Sequence, residues 1–377
     1  MANLLPSFSR RRRRRPLVGI RHFAIPILVL IAALDLPIAA GCTVMRFECG
    51  GHLLVARNHD WPFGEGMMVV NKRGIEKKGI SAVNPAVWVS KYGSVSFVQF
   101  GREIPFAGMN ETGLTVDILQ LFDAQFPAAD RRTSVNAIQW LQYQLDTAKQ
   151  VSEVIDSLQE VRPAPLLASL EKVHYFVTDA SGDVAVIEFL DGKAVVHRGT
   201  NPTQCALANS CWAESVDQFG KKSVGNAESS LCRYDRAVDA ICDLPADISS
   251  DQRIDYAFDS LRGVAQETLT QWSMVYEPQE HRISFQTTAA PQRRWIDLDD
   301  LQFDADTPVQ ILDVNSKQSG DLLPHLQTYS IEANQRLVDF AFNRLMPEGF
   351  QRMAVKQLVL SYPDSLRVAE SSEALGQ

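Results

Sequence analysis

The feature that most constrains this chain is a junction near its beginning, where a leader-like segment meets a cysteine. Six consecutive arginines, Arg10–Arg15, precede an apolar stretch from Phe23 to Leu34, and small residues from Ala39 to Gly41 come directly before Cys42. A basic region, a short apolar region and small residues before a cleavage point form the order of a secretory signal peptide. We therefore expect residues 1–41 to be a signal peptide and Cys42 to begin the mature chain.

Two other fates of this junction are open. An uncleaved N-terminal anchor is one, although the apolar stretch is shorter than the roughly 20 residues that cross a bilayer as a helix. Lipidation of Cys42 is the other, although Ala39 stands where a lipoprotein signal normally has leucine or a similar residue. A non-catalytic, lipid-anchored binding protein is therefore the alternative from a different functional class.

Composition excludes several classes of protein. The 377 residues include 45 Asp and Glu against 37 Lys and Arg, and 45% are hydrophobic. Arg10–Arg15 and Arg21 belong to the leader, so the rest is more acidic than the formal net charge of −8 indicates. This excludes wholesale disorder and a multi-span membrane protein, and the acidic excess argues against nucleic-acid binding. We expect a periplasmic or secreted protein, with no membrane association after the leader is cleaved.

The segment after Cys42 predicts a β-hairpin with a chemical consequence. Apolar-rich runs lie on either side of Gly50-Gly51, and such a pattern favours two antiparallel strands. The second strand would carry Arg57 and Asp60 back towards Cys42. A guanidinium favours the thiolate form of a nearby cysteine, and a terminal α-amine, with a pKa of about 7.7–8.0, can act as a base that Asp60 orients. A surface pair of Arg57 and Asp60 without function is the alternative.

Five segments resemble one family in sequence and in order. They are Cys42-Thr43 with Arg57–Trp61, then Gly108–Leu114, Leu207–Ser210, Ser229–Tyr234 and Thr270–Tyr276. Together they resemble the choloylglycine hydrolase and penicillin V acylase family of N-terminal-nucleophile cysteine hydrolases. Val44 stands where Gram-positive bile salt hydrolases usually have glycine, which points to the Gram-negative branch.

The resemblance implies a catalytic set of six residues: Cys42, Arg57, Asp60, Gln120, Asn209 and Arg233. In this set Cys42 is the nucleophile, with Arg57 and Asp60 as its electrostatic and orienting partners. Asn209 would donate a side-chain N–H to the oxyanion, and Arg233 would hold charge and substrate near the thiol. Gln120 departs from the Asn or Tyr of many members, and its side chain or its backbone N–H would be a second donor.

The resemblance also implies an activity and a fold. The activity is hydrolysis of a linear amide with an apolar acyl group through a thioester, on the pattern of penicillin V acylase; bile salt hydrolase and acyl-homoserine lactone acylase are the alternatives. No cofactor is implied, and the histidine spacing predicts no metal site. The fold would be α+β, a four-layer αββα sandwich of two antiparallel sheets covered by helices. Residues 42–377 would form a single catalytic domain, and a homotetramer is the assembly that the resemblance implies.

Residue patterns also predict individual elements. Strand patterns cover residues 86–89, 94–100, 114–121, 173–177, 184–190 and 283–286, with a hairpin turn at 180–183. Helical spacing follows the predicted caps Thr133 and Ser134, and helices are also predicted at residues 151–158, 233–241, 252–261 and 331–345.

Two side-chain expectations complete the prediction. His59 occupies an unspecified position of the Arg57–Trp61 motif, where it could modulate the site. Residues at such positions more often face solvent, so we expect His59 to do so and leave it out of the catalytic set. A disulfide between Cys205 and Cys211, which would stiffen the loop that carries Asn209, is left open.

Overall fold

A computed structural model of the protein describes residues 41–168, 170–221 and 226–370. The chain divides into two contact units, and every described residue belongs to the second of them. The predicted signal peptide, apart from Gly41, lies outside the described residues.

The described residues contain many strands and fewer helices. The strands are β1 Thr43–Cys49, β2 His52–Asp60, β3 Met67–Asn71, β4 Ile75–Lys78, β5 Val87–Val89, β6 Ser94–Val98, β7 Pro105–Asn110, β8 Thr115–Gln120, β9 Thr133–Asn136, β10 Val161–Ala164, β11 Val173–Thr178, β12 Val184–Leu190, β13 Lys193–Arg198, β14 Ala206–Leu207, β15 Thr270–Glu277, β16 Arg282–Thr287, β17 Arg294–Asp297, β18 Gln310–Asp313, β19 Gly320–Asp321, β20 Gln327–Thr328 and β21 Arg367–Val368. The helices are α1 Gln139–Thr147, α2 Val151–Ser157, α3 Trp212–Gln218, α4 Ser230–Cys242, α5 Ser250–Gly263, α6 Ile331–Leu345 and α7 Phe350–Ser361.

Two large sheets organise these elements. One has seven strands in the order β14-β1-β2-β15-β16-β17-β19, and the other has nine in the order β13-β12-β11-β8-β7-β6-β3-β18-β20. Neighbours are antiparallel except for β17 and β19. This topology places β2 between β1 and β15, so the end of the chain's first hairpin is central in its sheet.

Side-chain packing defines four layers. Val44 and Met274 of the seven-stranded sheet share one core with Val95 and Phe176 of the nine-stranded sheet, so the two sheets face each other. The outer side of the first sheet packs on α4 and α5. The outer side of the second packs on α1, α2, α6 and α7. Central strands such as β3, β6 and β11 are therefore buried on both faces, whereas the edge strands β13, β19 and β20 remain partly or largely exposed. The predicted αββα sandwich is confirmed.

The hairpin prediction is also confirmed. The whole of β1 pairs with β2, from Thr43 with Asn58 to Cys49 with His52. Gly50 and Gly51 have φ values of 60° and 80°, a left-handed conformation that glycine adopts without steric cost. This two-residue turn sets the register that returns the end of β2 to the start of β1.

Most other predicted elements are present, but one predicted helix begins at a different residue. Residues 133–136 form β9, paired with β10, and the helix predicted after Thr133 and Ser134 begins only at Gln139. Asn136 is the polar residue at its start, since its Oδ1 accepts hydrogen bonds from the N–H groups of Ile138 and Gln139. The sequence patterns did not predict α3 or α7.

Candidate active site

The first hairpin brings together three of the six predicted site residues. Cys42 directly precedes β1, whereas Arg57 and Asp60 lie on β2. Because Thr43 pairs with Asn58, Cys42 lies close to the neighbours of Asn58 on β2. Nη2 of Arg57 lies 3.7 Å from Sγ of Cys42.

Arg57 is fully buried and held from several directions. Its Nη1 donates to Oδ1 of Asp117 at 3.1 Å and to the carbonyl oxygen of Phe106. Its Nη2 donates to the carbonyl oxygen of Ile118 at 3.1 Å and lies 3.2 Å from Nδ1 of His59. Burial raises the pKa of Asp117 to about 6, although the adjacent Arg57 opposes the shift. The guanidinium therefore has a fixed position beside the thiol.

The surroundings raise the pKa of the Cys42 thiol above its ordinary value. Burial is the largest cause, because it disfavours the charged thiolate. The positive charge of Arg57 lowers the pKa, the Asp60 carboxylate raises it, and a hydrogen bond from the Asp60 backbone and the charge of Arg233 lower it. The effect expected of Arg57 is present, but burial outweighs it in the chain that still carries Gly41.

Asp60 has one engaged and one unengaged carboxylate oxygen. Its Oδ1 accepts a hydrogen bond of 2.6 Å from the Thr270 hydroxyl. Its Oδ2 is buried and has no hydrogen-bond partner among the described residues. Burial raises the pKa of Asp60 to about 7, although the Thr270 hydrogen bond opposes the shift. A buried acceptor without a donor is costly, so this oxygen is a ready site for a cationic donor.

Asn209 follows β14 and contacts Gln120 across the site. Its Nδ2 donates to the carbonyl oxygen of Gln120 at 2.8 Å, and its Oδ1 accepts from Nη2 of Arg233 at 2.9 Å. Its backbone N–H donates to Oγ of Ser230 at 2.8 Å. Since a guanidinium has only donors, Arg233 determines which end of the Asn209 amide is the acceptor.

Arg233 also binds Cys42 and Thr43, where the mature chain is expected to begin. From its position on α4 its Nη1 donates to the carbonyl oxygen of Cys42 at 2.7 Å and to Oγ1 of Thr43 at 2.6 Å. The side chain is almost fully buried. Its hydrogen bonds thus join the Cys42 backbone to Asn209, and the structure brings all six predicted residues into one region.

The bond expected to be cleaved is itself buried. Nε2 of Gln266 lies 3.4 Å from the carbonyl oxygen of Gly41, with which it makes a hydrogen bond. A Cβ atom at position 41 would overlap both the Gln266 amide and the Arg233 guanidinium. A glycine before Cys42 therefore suits the packing as well as the cleavage pattern.

An apolar pocket adjoins these residues. Cys42, Asp60 and Gln120 form part of its wall, and it holds about 990 Å³ of empty space including its open mouth. Nearly all of the other lining residues are aliphatic or aromatic, among them Ile104, Phe106, Ile118, Ile138, Phe342 and Met346. Such a pocket suits an apolar group of a small molecule with its polar end at Cys42.

The expectation that His59 faces solvent is wrong. His59 is only 2% exposed and contacts Arg57, because β2 has a strand on each side and covered layers on both faces. Asp117 was also missed. It is a lone acid within the apolar run 114–121, and a charge in a buried strand is a signal of an internal ion pair.

No disulfide joins any of the six cysteines, all of which lie in the described part of the chain. Sγ of Cys205 instead donates to the carbonyl oxygen of Thr200, and Sγ of Cys211 lies 3.8 Å from Oδ2 of Asp123. A disulfide is thus not what stiffens the loop of Asn209.

Hydrogen bonds to a buried carboxylate hold that loop. Glu188 accepts from the backbone N–H of Trp212 at 2.9 Å and lies 3.1 Å from Nδ1 of His174. Nε2 of His174 lies 2.9 Å from the carbonyl oxygen of Ala208. The two ring nitrogens of His174 thus link the Glu188 carboxylate to the backbone of Ala208, which directly precedes Asn209. The loop is therefore fixed on each side of Asn209.

The described residues contain neither a metal-binding cluster nor a membrane-spanning helix. Residues 41–168, 170–221 and 226–370 contain no group of three or more His, Cys, Asp or Glu side chains arranged to bind a metal ion. No helix within these ranges combines the length and the apolar character needed to span a membrane.

Comparisons with known proteins identify a matching family and a sequence relative. Residues 42–222 match the family described as linear amide C-N hydrolases, choloylglycine hydrolase family. The chain is similar to a penicillin V acylase of Pectobacterium atrosepticum, with 25% identity over 299 residues, which cover 66% of this chain and 78% of that protein.

Solved structures agree. The structure of penicillin V acylase from Agrobacterium tumefaciens matches with a TM-score of 0.67 and 25% identity, over 77% of this chain and 98% of that one. A mutant conjugated bile acid hydrolase from Clostridium perfringens matches with a TM-score of 0.58 and 16% identity, over 74% and 98% of the two chains, which is a likeness of fold.

Proposed function

The chain belongs to the choloylglycine hydrolase family of linear amide C–N hydrolases, and we propose that it hydrolyses an amide such as penicillin V with Cys42 as its N-terminal nucleophile. The observation that carries this proposal is that Cys42, Asp60 and Gln120 line an apolar pocket, while Arg57 contacts Cys42 and Asn209 contacts Gln120. An amidohydrolase needs a nucleophile, a base, oxyanion donors and an acyl site, and this region has a candidate for each.

The first step would be attack on the amide carbonyl. Removal of residues 1–41 frees the α-amine of Cys42 beside Asp60, whose buried Oδ2 can accept a hydrogen bond from it. The amine takes the thiol proton, and the thiolate forms a C–S bond. The carbonyl oxygen becomes an oxyanion, which a hydrogen of Asn209 Nδ2 and the backbone N–H of Gln120 would stabilise.

The remaining steps of the proposed catalytic cycle return the enzyme to its starting state. The C–N bond breaks, the α-ammonium gives its proton to the leaving amine, and a thioester to Cys42 remains. Water then attacks the thioester, with the α-amine accepting a proton, and the acid product leaves while the thiol regains its proton. Arg57 keeps its charge next to the sulfur atom throughout.

The pocket supports a second candidate substrate, a long-chain acyl-homoserine lactone. Its volume and its apolar lining accommodate either a phenoxyacetyl group or an extended alkyl chain. Bile salts are a third possibility within the family. Apolar pockets discriminate by only about 1–3 kcal/mol per methylene, so the acyl group is decided by measurement of rates.

A panel of amides tests this proposal. Purified mature protein should release the amine from penicillin V or from a long-chain acyl-homoserine lactone faster than from glycocholate or taurocholate. A preference for the bile salts would replace the proposed substrate class, and no turnover of any of the four would contradict the amidase itself.

Mass spectrometry of the mature N-terminus tests the nucleophile. We propose export to the periplasm or medium and cleavage after Gly41, so the N-terminal peptide should begin with an unmodified Cys42. A diacylglyceryl group on Cys42 would instead indicate the lipid-anchored binding protein. Assembly as a homotetramer belongs to the same proposal, and light scattering of the purified protein checks it.

A further inference from the structure

His59 lies in an aromatic cluster beside the candidate nucleophile, and both residues line the apolar pocket. Its ring is stacked on Trp272, with centroids 4.4 Å apart and planes at 22°, and it packs near Trp61 and Phe106. Burial and the nearby charge of Arg57 lower the pKa of His59 to about 3, so the ring is neutral at physiological pH. A neutral imidazole has one donor nitrogen and one acceptor nitrogen.

Gln99 determines which nitrogen is the donor. Its Nε2 donates to the carbonyl oxygens of Phe63 and Glu65 at 2.9 and 3.1 Å, so its Oε1 is the end that faces His59. This oxygen lies 2.8 Å from Nε2 of His59. An oxygen acceptor at this position requires the proton on Nε2 of His59, which leaves Nδ1 as the acceptor.

Nδ1 of His59 faces Arg57. The Nη2 group of Arg57 lies 3.2 Å from this nitrogen and is the same group that lies 3.7 Å from Sγ of Cys42. The chain of contacts therefore runs from two backbone carbonyl groups through Gln99 and His59 to the guanidinium beside the thiol. The other charged group that contacts Arg57 is Asp117, at the opposite Nη1.

We propose that His59 and Gln99 are positioning residues, in which Gln99 holds His59 as the Nε2–H tautomer and His59 Nδ1 holds the Arg57 guanidinium against Cys42. This inference rests on the proposed role of Cys42 as the nucleophile. A ring protonated on Nδ1 would place a donor against the Arg57 donor and push the guanidinium from the sulfur atom.

Four variants of the mature protein test the arrangement. His59→Leu removes the acceptor, whereas His59→Asn keeps one, because Oδ1 of asparagine is as many bonds from Cβ as Nδ1 of histidine. Gln99→Met leaves His59 in place but removes the group that holds its tautomer. Gln142→Met is the matched control, since Gln142 is also buried but bonds to Ser94 and Asp146 instead.

The readout is the rate of Cys42 alkylation by iodoacetamide as a function of pH, measured on the N-terminal peptide without substrate. His59→Leu should raise the thiol pKa by about one unit and slow alkylation at pH 7 about tenfold. Gln99→Met should shift the profile in the same direction, His59→Asn should restore most of the rate, and Gln142→Met should leave it unchanged. The kcat for amide hydrolysis should fall in parallel with little change in KM.

Several outcomes would overturn the inference. The first is a wild-type pH profile of Cys42 alkylation in folded His59→Leu. The second is an equal loss of alkylation rate in His59→Asn and His59→Leu. The third is an equal shift of the pH profile in Gln99→Met and Gln142→Met. If His59→Leu does not fold, Gln99→Met decides. Because alkylation needs no substrate, a wild-type protein without amidase activity would contradict the proposed function while these profiles still test the inference.

Discussion

Nη2 of Arg233 donates a 2.9 Å hydrogen bond to Oδ1 of Asn209 and so orients its amide. The same guanidinium binds the carbonyl oxygen of Cys42 through Nη1. One side chain on α4 therefore holds both the residue that would attack the substrate and the residue that would stabilise the resulting oxyanion. Their separation cannot change without loss of a buried, charge-assisted hydrogen bond.

Replacement of Asn209 should remove one oxyanion donor without loss of the fold. Asn209→Asp keeps an acceptor for Arg233 but replaces Nδ2, and Asn209→Ala removes both groups. Both variants should lose about 10²–10³-fold in kcat, because oxyanion donors act mainly in the transition state. Release of 6-aminopenicillanic acid from penicillin V measures the effect. Full activity in a folded variant would remove Asn209 from the mechanism.

Replacement of the thiol of Cys42 should abolish most hydrolysis. Cys42→Ser keeps a small polar side chain, but the hydroxyl is a much weaker nucleophile than a thiolate at neutral pH. Cys205→Ser is the matched control, because Cys205 is also buried and its Sγ donates to the carbonyl oxygen of Thr200. Equal turnover by Cys42→Ser and the wild type would contradict the nucleophile assignment.

Loss of the Thr270 hydroxyl should move the acidic side of the pH–rate profile to higher pH. The hydroxyl donates to Asp60 and lowers a pKa that burial raises to about 7. In Thr270→Val the Asp60 carboxyl should bind its proton at a pH about one unit higher, so activity at pH 6 falls more than activity at pH 8.

Ser273→Ala supplies the comparison for this pH effect. Ser273 lies on the same strand, β15, and its hydroxyl donates to the uncharged Oδ1 of Asn58 at 2.7 Å. Its kcat/KM should keep the wild-type pH dependence. If Thr270→Val also had the wild-type pH–rate profile, the ionisation of Asp60 would not determine the acidic limb of that profile.

A larger side chain at Met346 should shorten the acyl group that the enzyme accepts. Met346 lines the apolar pocket, whereas Met353 on α7 is 63% exposed and serves as the control position. Met346→Trp should lower kcat/KM for a decanoyl substrate about tenfold relative to a butanoyl substrate, because each excluded methylene costs roughly 1–3 kcal/mol. Met353→Trp should leave the ratio unchanged, and an unchanged ratio in both variants would place the acyl chain elsewhere.

Protonation of Glu188 should lower the stability of the protein in acid. Its pKa is lowered to about 2, because hydrogen bonds from His174 and His197 and the charge of His174 outweigh the opposing effect of burial. A carboxyl with a lower pKa in the folded state stabilises the fold above its unfolded-state pKa of about 4.3. This contribution, on the order of 3 kcal/mol, is lost as the pH falls towards 2.

Urea unfolding at pH 7 and pH 3 measures this contribution. At pH 7 the midpoint of unfolding should lie at a lower urea concentration for Glu188→Gln than for the wild type. At pH 3 the difference between the two midpoints should be smaller. Glu214→Gln, at an exposed site on α3, should behave like the wild type at both pH values. An equal difference between wild type and Glu188→Gln at both pH values would contradict the prediction.

The first hairpin was predictable because its determinants are local. Gly50-Gly51 has the turn chemistry that sets the β1–β2 register, and the register brings Arg57 and Asp60 to Cys42. The helix start near Thr133 was not predictable in the same way. There the β-branched residues pair with β10, a tertiary contact that overrides the helical spacing. The helix begins at Gln139 instead, where the Asn136 side chain accepts hydrogen bonds from the N–H groups of Ile138 and Gln139.

By itself, the sequence was enough to predict the signal-peptide boundary before Cys42, the first β-hairpin and the order of the segments that resemble the family. Only the tertiary structure decided what surrounds the thiol, because Arg233 and Thr270 reach Cys42 and Asp60 from 191 and 210 residues away along the chain. Burial of His59 was likewise decided there. A strand pattern gives alternating faces but not what covers them, and the two facing sheets with their outer helices left His59 no solvent to face.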